Sequence, residues 1–429
     1  MAPKWQWKIM VGVALVMVMT ACTSGSGGTT TVTEDSTTTT PGAGGSSTST
    51  SQPAQVTKLV VWADETRAPV IEAAGKLYEA DSGIVVEVEV MPFLEIRGAV
   101  LSAVPAGQGP DLFIDSNEGT GVLAQAGIIA PLDLQGRESE FVPVAIDAFA
   151  YDGNVYAVPF LTEALGLFYN KDLVQQPPAD FDTLRAVCDS LGFPTADGVP
   201  CLAIPANEPR HQFPFISGFG GYVFGFGDRA YDVTDVGIGS SEAIAGATFL
   251  NNLYRDGYAD SAVDYSVMAD LFNQGAVPFM WTGPWQVEAV DAAGINYGVA
   301  KLPTMSGNPP RPLVGSQGFF LNALTEKSEA ALSFLFDYVA TTDSMAELAA
   351  VTNRPPALLS ALGEVGDNPN MLAFAESGSD GLPLPNIPEM EAVWGPLADA
   401  IAALDQGNGD PAAIMGTADG LVRAAVGAG

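Results

Sequence analysis

Three short strand-like runs separated by two helical patterns constrain this chain's fold most tightly. "KLVVWA" (58–63) leads into a helical pattern over 68–80, closed by Asp81-Ser82-Gly83. "IVVEVEV" (84–90) alternates as a strand with one wet face does, a helix from about Glu95 follows, and "GPDLFID" (109–115) ends the series. Strands separated by helices pair as parallel neighbours, and the crossing helices cover both faces of the sheet. The expectation is an α/β fold around a largely parallel sheet.

The alternation resumes downstream. Strands are predicted at "VYAVPFL" (155–161), "LGLFYN" (165–170), "AVPFMW" (276–281), "INYGVAKL" (295–302) and "GFFLNA" (318–323). A helix is predicted near Ala243–Tyr254. Ser328 to about Val351 reads as helical with one buried face, and the stretch after Met390 is mostly helical. Roughly 370 residues follow the N-terminal low-complexity segment, too many for one ordinary core, so two domains are expected. Ligands in such folds sit beyond the carboxyl ends of strands, where Asp64, Asp115, Glu163 and Trp285 are predicted to lie.

The N-terminus reads as an address. Lys4 and Lys8 flank the start of an apolar stretch, Ile9–Val18, too short to span a bilayer as a helix. Met19-Thr20-Ala21-Cys22 resembles the bacterial lipoprotein cleavage box, with Met where Leu is usual. That implies a signal peptide at 1–21, lipid on Cys22 and export to the outer face of the bacterial cell membrane or its periplasmic side. The alternative is an ordinary signal peptide with an incidental Cys. Residues 22–57 favour the lipoprotein. They are nearly all Thr, Ser, Gly, Pro and Ala, too poor in apolar groups to offset the entropy of ordering, and so suit a disordered tether. Its expected r.m.s. reach is about 30 Å.

The formal charge is −33, from 50 acidic and 17 Lys or Arg residues. Such a body repels phosphate backbones and carries no basic stripe, so nucleic acid is a poor partner. Most of these acids read as solvated surface. With Cys22 lipidated, Cys188 and Cys201 are left to pair in an oxidising compartment. Their loop, "CDSLGFPTADGVPC", holds two prolines and two glycines and can bend to close. A disulfide is favoured over two buried free thiols, and would contribute about 3 kcal/mol by loop entropy.

His211 is the sole histidine, which excludes a His-rich metal site. No G-x-S-x-G, P-loop, H-E-x-x-H or full EF-hand pattern occurs. "GFGDRA" (225–230) matches G-x-G-x-x-A but opens no convincing helix, and reads as a turn. No cofactor or metal is expected. What remains is carboxylates and aromatics, a combination that suits sugars. A fixed carboxylate accepts hydrogen bonds from sugar hydroxyls, and the CH-rich sugar face lies on a flat ring. In "FNQGAVPFMWTGPW" (272–285), Trp281 inside the strand reads as core. Trp285, just past Thr-Gly-Pro, reads as a ring held out to a ligand.

Five blocks in one order resemble the maltose/maltodextrin-binding protein family, solute receptors of sugar ABC importers. They are "GPDLFID…GVLAQAGIIAPL", "AVPFLTEALGLFYNKDL", "FNQGAVPFMWTGPW", "INYGVAKLPTMSGNPPRPLVG" and "LPLPNIPEMEAVW". The resemblance runs from about Lys58 to the C-terminal helices. It implies a two-lobe periplasmic-binding-protein-like fold with discontinuous lobes and a hinge cleft. The lobes are expected at 58–161 with 319–364, and at 166–318 with 365–429. It also implies an oligosaccharide ligand, an ABC transporter permease as partner, and a monomer.

Carried over residue by residue, the resemblance makes Glu163, Glu208 and Glu118 sugar-binding acids, and Tyr265, Trp285 and Trp394 aromatic platform positions. Asp64 and Arg67 fall near the family's polar pair after the first strand, with Glu95 a further candidate. Four positions depart from the family. Asp115 stands where it has Trp, Gly119 where it has Arg, Arg210 where it has a stacking Tyr, and Phe213 where it has Trp. Loss of stacking surface and gain of polar reach point to a shorter or differently linked glucoside than a long maltodextrin. The rival readings are a glycoside hydrolase using Glu163 and Glu208 as its paired carboxylates, and a receptor for a non-sugar solute such as a polyol. The whole-chain resemblance favours a binder over an enzyme.

Overall fold

The computed structural model describes residues 56–428; the signal-peptide and Cys22 readings, and nearly all of the tether, lie outside the described residues. The opening alternation forms as expected. Strands β1 (Lys58–Ala63), β2 (Val85–Val90) and β3 (Leu112–Ser116) are parallel, joined through helices Ala68–Ser82 and Phe93–Ala103. A Cβ at Gly75 would lie 2.8 Å from the Val86 Cβ, so this glycine lets the first helix close onto β2.

After a small hairpin of β4 (Ala150–Tyr151) and β5 (Asn154–Val155), strand β6 (Ala157–Glu163) returns to the same sheet. Only Ala164 and Leu165 separate it from β7 (Gly166–Asn170), which belongs to a different sheet. That second sheet adds β8 (Leu202–Ala203), β11 (Phe279–Thr282) and β12 (Tyr297–Ala300), in the order β12-β7-β11-β8. Between them, β9 (Phe224–Gly227) and β10 (Ala230–Val236) make a separate hairpin. Its tip is the "GFGDRA" turn, with Asp228 and Arg229 both left-handed, as tight two-residue hairpins require. Strand β13 (Leu313–Leu321) runs antiparallel to both β3 and β6, and its start pairs in parallel with β14 (Leu382–Pro383).

Each sheet has its own core. Leu59, Val61, Phe113, Ile114, Phe160, Phe319 and Phe320 pack in the first, closed by Phe334, Leu348 and Ala361. The second sheet is buried on both faces. Leu167, Phe279 and Trp281 face one cluster, and Phe168 and Met280 face another, the alternation a strand dictates. Burial on both faces is why these strands read as continuous apolar runs. The chain therefore passes between cores at β6–β7, along β13, and after the Leu359–Glu364 helix. The architecture is a two-lobe α/β fold.

Among the elements that differ from the sequence reading, two have a plain local cause. The long helix over Ser328–Val351 is split. Ser328–Phe334 runs into a π turn at Leu335–Val339, and a new helix, Thr342–Thr352, starts where the Thr341 side chain accepts a hydrogen bond from the Ser344 amide. The strand read from Ala276 begins only at Phe279, because Pro278 has no amide to donate. Cys188, on the Phe181–Leu191 helix, is bridged to Cys201 at a Cα separation of 5.7 Å.

Candidate functional site

Past β11 the chain turns at Gly283 into a short 3-10 turn, Pro284–Gln286, which carries Trp285. The Trp285 ring lies directly over Gly283: a Cβ there would come within 2.2 Å of the ring. Glycine is thus demanded by close approach. Trp285 is 37% exposed, and its Nε1 donates to the Tyr265 hydroxyl at 2.5 Å. The Gln286 amide donates to the same hydroxyl at 2.9 Å. Tyr265 opens the Tyr265–Asn273 helix, where the Asp264 side chain caps the Val267 amide. By contrast Trp281 is fully buried, stacked 4.9 Å from Phe215, with its Nε1 donating to the His211 carbonyl.

The Pro209–Ser217 helix supplies the polar part of this wall. His211 is buried and stands edge-on to Tyr265 and Trp285, with ring centroids 5.7 and 5.9 Å away. Its Nε2 lies 3.3 Å from the Thr282 hydroxyl. Its Nδ1 lies 3.4 Å from Glu208 Oε2. The His211 contact holds the Glu208 carboxyl below the ordinary Glu range, outweighing the desolvation that would raise it, and Arg210 adds to the lowering.

The facing wall belongs to the first lobe. Arg67, just after β1, is buried between the Phe93 and Phe160 rings, 5.0 and 5.7 Å from their centroids. Its Nη1 donates to Asp64 Oδ2 at 2.6 Å, and its Nη2 to Gln317 of β13. Burial pushes its guanidinium below the usual Arg range, against the opposing charge of Asp64. Gln317 donates in turn to Glu163 Oε1 at 3.2 Å, and Arg354 pairs with the same carboxylate.

Two adjoining cavities open between these walls. One, of about 390 Å³, is lined by residues including Glu163, Glu208, Arg210, His211, Tyr265 and Trp285. The other, of about 360 Å³, is lined in part by Thr66, Arg67, Glu288 and Asn353. They share Phe93, Trp285, Gln317 and Arg354, so they form one cleft between the lobes. A larger cavity of about 650 Å³ lies elsewhere, among the β9–β10 hairpin, β13 and β14.

The fold thus brings Arg67, Glu163, Glu208, Arg210, Tyr265 and Trp285 to the cleft. Asp64 stands behind Arg67 and lines neither cavity. Asp115 is buried and held by Arg97, whose Nε and Nη2 donate to its two oxygens at 2.7 and 3.0 Å. This pair also explains Gly119, where a Cβ would meet Arg97 Nε at 2.6 Å. Glu118 lines neither cavity and lies 3.3 Å from Arg210. Glu95 is exposed outside the cleft, and Trp394 is half-buried against the second core. Phe213 is only 1% exposed; it is packed in the second core and edges the larger cavity instead.

Sequence reasoning did not single out Phe93, Arg97, Gln317 or Arg354 as site residues, and used His211, as the sole histidine, only to exclude a His-rich metal site. Gln317 did leave a signal, as the one amide inside the apolar run "LVGSQGFFL". Among the described residues no group of three or more His, Cys, Asp or Glu side chains is placed to hold a metal ion. Chemically, the cleft offers an aromatic plate, the carboxylates of Glu163, Glu208 and Glu288, and several N–H donors.

The family model described as bacterial extracellular solute-binding protein matches residues 73–373. The chain is 32% identical over 322 residues to the maltotriose-binding protein of Pyrococcus abyssi, covering 72% of this chain and 68% of that one. It is 28% identical over 383 residues to the galactooligosaccharide-binding protein of Bacillus subtilis, covering 86% and 90%. A crystal structure of a cyclo/maltodextrin-binding protein complexed with maltotetraose superposes with a TM-score of 0.81 at 26% identity, covering 86% of this chain and 97% of that one.

Proposed function

The chain belongs to the bacterial extracellular solute-binding protein family, and from that premise we propose that it captures a short oligosaccharide in the interlobe cleft for a sugar ABC importer. The observation that carries this reading is the Trp285–Tyr265 plate facing Glu163, Gln317 and Arg354 across one cleft. The ring takes the CH face of a sugar, and Glu163 and Glu208 accept from its hydroxyls while Arg67 and Arg354 donate. A sugar touching both walls stabilises only the closed arrangement of the lobes. Shifting a receptor from mostly open to mostly closed takes about 5.5 kcal/mol of differential affinity, within reach of two or three charged hydrogen bonds plus stacking. The closed form then docks on a permease. The lobes we assign are 58–161 with 319–364, and 166–318 with 365–429, in a monomer lipid-anchored through Cys22.

The ligand is short. Where the related family has aromatic and basic residues, Asp115 is buried against Arg97 outside the cleft and Arg210 lines the cleft paired to Glu118, so neither position offers a ring for a further sugar. Calorimetric titration with maltose, trehalose and maltotriose tests this, and clear preference for the longest chain contradicts it. The protein binds without hydrolysing; new reducing ends on incubation with maltodextrin would return Glu163 and Glu208 to a catalytic reading.

A further inference from the structure

The segment 206–212 carries three cleft-lining side chains, Glu208, Arg210 and His211. It rests on a carboxylate from far along the chain. Asp405, just after the Glu391–Leu404 helix, is only 2% exposed. Its Oδ2 accepts from the Asn207 backbone amide at 2.8 Å and from the Gln212 side-chain amide at 3.1 Å. One oxygen thereby holds both ends of the stretch that presents the three side chains. Asn207 needs such a hold, because its φ of 59° places a non-glycine residue in the left-handed region. Gln212 is fully buried and is fixed from the other side by donating to the Pro205 carbonyl at 2.9 Å.

The rest of this pocket is unsatisfied. Asp405 Oδ1, Gln212 Oε1 and the Tyr254 hydroxyl are buried without hydrogen-bond partners. Tyr254, from the Ser241–Arg255 helix, is the titratable group facing Asp405. Its hydroxyl is pushed well above the ordinary range by burial first, then by the neighbouring Asp405 carboxylate and, less, by the charge of Asp260. Among the described residues no Lys or Arg forms an ion pair with Asp405. Burial raises its carboxyl to about 6, although the bonds from Asn207 and Gln212 favour the ionised form.

Resting on the sugar-binding reading, we infer that Asp405 is a positioning residue for the cleft: its ionised carboxylate clamps Asn207 and Gln212 and so aims Glu208, Arg210 and His211, and protonation loosens the clamp and weakens sugar binding. A carboxylate accepts roughly twice as strongly as a neutral acid, so the clamp is firm only above the carboxyl's own titration. Glu208 stays ionised throughout that window, because His211 holds its carboxyl low.

Two measurements test this. Nitrogen-15 spectra of the sugar-free wild type follow the Asn207 amide, which is expected to titrate with a midpoint near 6 and to stay fixed in Asp405→Asn. Calorimetry with maltotriose is expected to give wild-type affinity at least fivefold tighter at pH 7.5 than at pH 5. In Asp405→Asn the affinity at pH 7.5 should fall toward the wild-type value at pH 5, with the two pH values agreeing within about twofold. An Asn207 amide that does not move between pH 5 and 7.5 overturns the clamp, whether or not maltotriose binds. So does a pH dependence that survives in Asp405→Asn. If the amide titrates while the wild type gives no heat with maltose, trehalose or maltotriose, the clamp stands and the sugar reading is what fails.

Discussion

Arg210 of the second lobe lies 3.3 Å from Glu118 of the first, an ion pair that bridges the two lobes. Both side chains are a third or more exposed, so the pair contributes at most about 1 kcal/mol to stability. Its weight is in shape and charge. Glu118 also lies 3.5 Å from the Ser116 hydroxyl, which accepts from Arg97, so a chain of polar contacts runs from Arg210 to the buried Asp115.

Opening that chain should lengthen the accepted ligand. Arg210→Ala is expected to raise the affinity ratio of maltopentaose to maltose several-fold, with a stability change under about 1 kcal/mol. Calorimetry with the two sugars checks it; an unchanged ratio removes the pair from length selection.

The Arg97–Asp115 pair is structural in a different degree. Asp115 is almost fully buried, and burial raises its carboxyl above the ordinary range even with Arg97 bound. Arg97→Ala strands the charge and should cost about 3 kcal/mol at neutral pH. The sign with pH follows. Without Arg97 the folded-state pKa rises further, so the variant is least penalised below the unfolded Asp value of about 3.9 and loses stability as pH rises from there. Denaturant melts at pH 4 and pH 7 should therefore show the gap from wild type shrinking on acidification.

Gly283→Ala is a test of the plate that touches no ligand atom. The added methyl would enter the Trp285 ring, so the ring must move. Sugar affinity should drop at least tenfold while thermal stability changes by about 1 kcal/mol or less.

The Cys188–Cys201 bridge closes a loop of sequence separation 13 on the second lobe. Replacing both with Ser should lower stability by about 3 kcal/mol and leave sugar affinity within twofold, since neither residue lines the cleft. Chemical denaturation and calorimetry on the same sample separate the two effects.

The strands and their order were legible because strands buried on both faces must be apolar, as "KLVVWA" and "AVPFLTE" are. The break at Thr341 was harder to see, since the same threonine is tolerated inside a helix and only its bond to Ser344 marks a new start. Of the cleft, Glu163 could be found because it ends a strand and Trp285 because it follows the turn just past one. Arg354 and Gln317 could not, because what brings them to Glu163 is the pairing of β13 with β6 and contacts 154 and 191 residues apart in sequence. Phe213 shows the opposite failure. Position along the chain matched the family, but the helix turns that side chain inward to the core.

The most direct test is titration of maltotriose into the wild-type chain and Trp285→Ala side by side. The account predicts saturable binding to the wild type and a loss of about 2–4 kcal/mol in the variant, roughly 30- to 1000-fold, with the fold intact. Equal affinity in the two proteins would contradict it, because the Trp285 ring would then not be where the sugar lies.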